Sequence, residues 1–216
     1  LVNPIAKHLL EKNFPPPLRS RFYPLVNRAY ENADLLLGQA AFLNWKVGRD
    51  MKRHLRRVAV EFELKELIET GQYDVEFRIS PNARKNCRHI ELITKDCVLT
   101  ISQVMFKDSL PRDAFFRQNH AVSNQLSLGL AMEESESFDQ DDKYYMLLTH
   151  GYLNKIPDFV VLGVPTDDLK NWHYKINLVN EFKQVHYQER DDKTEQEEVI
   201  VRLKDYIKNK GELVNE

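Results

Sequence analysis

Residues 88–104 read RHIELITKDCVLTISQV, and the fold class follows from how this stretch alternates. Ile90 and Leu92 lead into the polar pair Lys95-Asp96, and Leu99 and Ile101 lead out of it. A hairpin turning at that pair sets Thr94 opposite Cys97, Leu92 opposite Leu99 and Ile90 opposite Ile101. The period of two collects the apolar side chains on one sheet face. Cys97 shares that face and Cys87 falls on the other, so the two thiols are expected to be reduced and unbridged. Unpaired cysteines fit a cytoplasmic protein.

Upstream the period is different. Residues 1–71 carry apolar residues at helical spacing, with a short helix at Ile5, Leu9 and Leu10 and a break at Pro15-Pro16-Pro17. A second helix is expected over 18–37 and a third over 41–70, stopped by Gly71. In the third, Leu43, Val47, Met51, Leu55, Val58 and Phe62 step by three and four as a buried seam. From Tyr73 the alternation of Val75, Phe77 and Ile79 with Glu76 and Arg78 marks a first strand. Downstream, 144–150, 158–164 and 173–179 are three more strands. Between them, 109–143 loses periodicity, and its acidic part, 133–142, reads as a loop. Thr194 and Glu197 form a capping box that opens a final helix reaching about residue 209. The expected architecture is α+β: N-terminal helices (1–71) packed on a mostly antiparallel sheet, with a C-terminal helix in the sheet-containing part (72–216), the two parts forming one compact unit.

Composition removes several functions. The seven glycines are never closer than ten residues, so no dinucleotide fingerprint, phosphate loop or nucleophile elbow can be written. No apolar run is long enough for a membrane span, and no membrane partner is expected. The net charge of -2 conceals a basic first part, 16 Lys/Arg against 10 Asp/Glu in 1–90, and an acidic remainder with 15 against 23. Such asymmetry points to a surface for a polyanion or an acidic partner.

Four constellations carry chemistry. On the third helix, Lys46, Arg49, Arg53 and Arg56 fall opposite the apolar seam, in a line suited to a phosphate backbone. The segment 111–120 adds Arg112 and Arg117 around the adjacent Phe115 and Phe116, a cation and aromatic cluster able to hold a phosphate and stack a base. The histidines include His89, on the same strand face as Glu91 and opposite Ser102. With no HExxH and no CxxC, a structural zinc site is not expected.

The fourth is Pro157-Asp158 at the head of one strand and Glu181-Phe182-Lys183 at the end of another. Over 157–183 this resembles the signature of the PD-(D/E)xK nucleases. The resemblance implies that Asp158 and Glu181 hold Mg²⁺ while Lys183 orients or activates the water. It also implies a helix and a further strand after the second motif, where this sequence offers one helix.

The leading expectation is a binding protein that contacts nucleic acid or an acidic partner through the basic helix, with no certain cofactor. The alternatives are a Mg-dependent nuclease using Asp158, Glu181 and Lys183, and a structural or oligomerising protein with no catalytic site.

Overall fold

In a computed structural model of the chain, strands β2 (Arg88–Ile93) and β3 (Cys97–Val104) form the expected hairpin. Leu92 pairs with Leu99 and Ile93 with Val98, and the Thr94 amide donates to the Cys97 carbonyl at 2.9 Å. The structure describes residues 3–125, 143–182 and 201–205. β1 (Glu76–Pro81) adds to β2, and β4 (Tyr144–Gly151), β5 (Val160–Pro165) and β6 (Trp172–Asn177) follow β3. The sheet runs β1 to β6 in chain order. Every neighbouring pair is antiparallel except β3 and β4, which are parallel from Cys97 opposite Tyr144 to Val104 opposite Gly151.

That parallel pair needs a crossover, whose described part is residues 105–125. They carry α5 (Phe115–Ala121) over one face of the sheet, where Ala121 packs with Tyr145, Leu147 and Leu169. The other face is covered by α1 (Pro4–Asn13), α3 (Phe22–Gln39) and α4 (Lys52–Glu69), with the short α2 (Pro16–Arg19) between the first two. Leu10, Phe22, Tyr30 and Leu64 from the helices meet Leu92, Leu99, Met146, Leu148 and Leu162 from the strands in one core. Since both faces are covered, β3 and β4 are buried almost continuously, whereas a half-buried strand would alternate.

Local signals hold at several ends. Asn3 caps α1, its side-chain oxygen accepting from the amides of Ile5 and Ala6 at 3.0 and 3.2 Å, with Pro4 in the first turn. Gly71, at φ 70°, ends α4. Residues 201–205 are helical, and Leu203 joins the core while Arg202 reaches Glu66 of α4 at 3.3 Å. The expected capping box at Thr194 lies outside the described residues. Both cysteines are free, Cys97 buried and Cys87 half-buried. Among the described residues no helix is long and apolar enough to cross a membrane.

One boundary differs. The third helix begins at Lys52, preceded by a 3-10 turn at Gly48–Met51, and residues 41–47 are turns. Asn44, Val47, Gly48 and Asp50 are all weak helix formers. The chain also folds back so tightly that a Cβ on Gly48 would lie 2.5 Å from the Phe42 carbonyl oxygen and 2.7 Å from the Leu43 Cα. Of the expected seam, Leu43 and Leu55 are buried, but Val47 and Met51 are exposed.

Candidate functional site

The turn ahead of α4 is compact. Leu43 anchors it in the core, its amide and that of Asn44 donating to the Ala40 carbonyl at 2.9 and 3.0 Å. The Arg49 amide returns to the Trp45 carbonyl at 3.0 Å, and the Arg49 side chain donates to Asn44 Oδ1 at 3.1 Å. Around this anchor four large apolar side chains stand in solvent: Phe42 (73% exposed), Trp45 (57%), Val47 (57%) and Met51 (45%). Lys46, Arg49 and Arg53 are exposed among them.

The fourth cation of the expected line is elsewhere. Arg56 is only 1% exposed. Its guanidinium donates to Asp34 of α3 at 3.2 Å (Nε to Oδ1) and 2.9 Å (Nη2 to Oδ2). It also donates to the carbonyls of Tyr152, Asn154 and Lys155, at 3.3, 2.7 and 3.4 Å, and lies over the Tyr30 ring at 4.3 Å. Arg56 therefore closes a structural junction between the two long helices and the β4–β5 loop. Arg53 lies over the Tyr152 ring at 4.1 Å. Lys52 shares Asp34 at 2.8 Å.

These ties bring the start of α4 to the carboxyl ends of the parallel strands. The chain leaves β3 through Met105 and Phe106 and leaves β4 towards Leu153 and Ile156, all four exposed. Among the described residues, most of the exposed large apolar side chains thus lie on this turn and on the two segments that leave the parallel strands.

Beneath Arg56 lies a fully buried histidine. The Tyr30 hydroxyl is 2.6 Å from the Gly151 carbonyl and 2.7 Å from His150 Nδ1. Its one proton goes to the carbonyl, so His150 must donate from Nδ1, and His150 Nε2 has no partner among the described residues. Burial, reinforced by the Arg56 charge, pushes the His150 pKa down to about 3.

On the opposite face of the sheet, α5 is pinned by a buried carboxylate. Glu91 Oε1 faces His89 Nε2 at 3.1 Å and His120 Nε2 at 3.2 Å. Oε2 accepts from Arg78 at 3.0 and 2.7 Å. Burial raises the Glu91 pKa, but the hydrogen bonds from His120, His89 and Arg78 together outweigh it and hold the carboxyl well below the usual range. His89 stacks on Phe116 with ring centres 3.9 Å apart. Arg117 is turned inward to Ser102 Oγ at 2.9 Å, while Arg112 is exposed and its carbonyl accepts from Arg117. Each imidazole directs its Nε2 at one carboxylate, and among the described residues no group of three His, Cys, Asp or Glu can hold a metal ion. His89 is legible in the sequence as a strand neighbour of Glu91; His120 is not, because it reaches the pair from α5.

The two described nuclease-like residues lie in different elements. Asp158 is exposed ahead of β5 and accepts from Asn154. β6 ends at Asn177, and Glu181 closes a helical turn, α6 (Leu178–Glu181), so the period-two relation expected of a strand end does not apply to it. Both Glu181 oxygens accept from the buried Arg19. Lys183 lies outside the described residues. An open groove beside the β2–β3 turn, lined in part by Lys12, Asp96 and Lys143, has these charges engaged: Lys12 with Asp96 at 2.9 Å, and Lys143 with the carbonyls of Thr94 and Lys95.

Comparison of the chain with known protein families, curated proteins and solved structures finds no match.

Proposed function

We propose that this chain is a binding protein that engages nucleic acid through Lys46, Arg49 and Arg53. The observation that supports the reading is their setting: three exposed cations, Lys46 and Arg49 on a hydrogen-bonded turn and Arg53 in the first turn of α4, interleaved with exposed apolar side chains. Cations held by a compact turn meet phosphates with less ordering cost than cations on a mobile loop. A metal-dependent nuclease has less support, because the Glu181 carboxylate is committed to Arg19.

Counterion release makes this testable. The affinity for an oligonucleotide should fall linearly with salt on logarithmic axes. Each neutralised phosphate contributes a slope of about -0.7 for single strands or -0.9 for duplex, so three cations give roughly -2 to -3. Replacing Lys46, Arg49 and Arg53 together by Gln should flatten the line to near zero while keeping the fold, since all three are exposed. Absence of salt-sensitive binding by the unaltered protein at low ionic strength contradicts the reading.

A further inference from the structure

We infer that the nucleic acid bound at this end of the sheet is single-stranded, with bases stacked on Phe42 and Trp45. The inference rests on the nucleic-acid reading above and adds what form is recognised. A duplex presents regularly spaced phosphates, and the array that would track them is broken. Arg56 is withdrawn into the protein, and Lys46 and Arg49 precede α4, so no helical line of cations remains. The turn offers instead two rings that a duplex cannot use, because its bases are already stacked on each other. Unpaired bases stack on any exposed aromatic face irrespective of sequence, with cations between the rings holding the backbone.

The geometry of the turn favours this further. Phe42 and Trp45 flank the buried Leu43, and the hydrogen bonds from Leu43 and Asn44 to Ala40 and from Arg49 to Trp45 fix the backbone between them. The close approach of Gly48 to the Phe42 and Leu43 backbone seals the same turn. The rings are exposed on a rigid support, so little is spent on ordering them at binding. Phe106, two residues beyond β3, provides a third exposed ring at the same end of the sheet. A lipid bilayer suits the turn less well: Asn44 and Asp50 lie between the apolar residues, and taking their polar groups into hydrocarbon is costly.

The test is fluorescence anisotropy of the full chain with a labelled 20-residue oligothymidylate, the matching duplex of equal length, and vesicles of three parts phosphatidylcholine to one part phosphatidylserine. The single strand should bind at least about tenfold more tightly than the duplex, and Trp45→Ala and Phe42→Ala should each weaken it by roughly five- to a hundredfold. Both side chains are more than half exposed, so the variants should keep the parent's thermal midpoint. Equal or tighter duplex binding, or ring variants that bind like the parent, overturns the inference and leaves the nucleic-acid reading standing. Binding of vesicles with neither nucleic acid bound overturns both.

Discussion

Arg56→Ala is expected to lower the unfolding free energy by about 3–5 kcal/mol, the loss usual when one partner of a buried charge pair is removed. Truncation leaves the Asp34 carboxylate with Lys52 as its partner among the described residues, and leaves the carbonyls of Tyr152, Asn154 and Lys155 without the donor that now satisfies them. It also opens a cavity against the Tyr30 ring, over which the guanidinium lies at 4.3 Å. For a domain whose whole stability is of order 5–15 kcal/mol, the variant would be marginal at physiological temperature. Arg53→Ala provides the contrast. It removes a solvent-exposed cation from the Tyr152 ring and should cost less than about 1 kcal/mol. Urea denaturation of the two variants, compared at constant m-value, measures both. Similar small losses for the two would mean that Arg56 does not close the junction.

Acid should destabilise the protein well before its carboxylates titrate. His150 has a folded pKa of about 3 against an ordinary value near 6.5, so the unfolded chain binds its proton first. The stability associated with the neutral ring is complete above pH 6.5 and is lost as pH falls from there towards 3. Linkage gives a loss of about 2 kcal/mol between pH 7 and pH 5 from this one group. The cause is visible in the surroundings: among the described residues a new proton on Nε2 would have no acceptor, with Arg56 as the neighbouring charge. Glu91, also held below its ordinary range, loses its contribution at lower pH, where an unfolded carboxyl begins to protonate. Stability should therefore be followed from pH 7 to pH 5 in the parent and in His150→Gln. A parent whose stability is flat over that range, or a variant that retains the full slope, would contradict the assignment.

Most of the architecture could be read from hydrophobic period. The register of β2 against β3 follows from alternation around Lys95-Asp96, and the change of period at Tyr73 separates the helices from the sheet. The parallel pairing of β3 with β4 could not be read, because it depends on where an aperiodic segment crosses. Neither strand differs in local pattern from an antiparallel one. The start of α4 is not legible in the sequence, because Leu43, Val47, Met51 and Leu55 fit a helical seam by spacing alone. The tight backbone approach at Gly48 overrides that spacing and leaves Val47 and Met51 in solvent. Helical spacing alone also puts Arg56 in the solvated line; its burial is not legible because its partners lie 22 to 99 residues away along the chain. Glu91 with His89 was legible as strand neighbours; His120 was not, since it arrives from α5.

At this end of the sheet, nucleic acid is expected to bind with Trp45 in contact. Intrinsic tryptophan emission tests it most directly, during titration with oligothymidylate at low salt, in the unaltered protein and in Trp45→Phe. The chain has only two tryptophans, and Trp172 is committed elsewhere, packed against Val161 and donating to the Asp108 carbonyl at 3.2 Å. Stacking should quench the parent's emission in a saturable way that added salt reverses. Trp45→Phe should show no such change while still binding the labelled strand, because phenylalanine also stacks. Emission from the parent that stays constant with the oligonucleotide in large excess would contradict the claim.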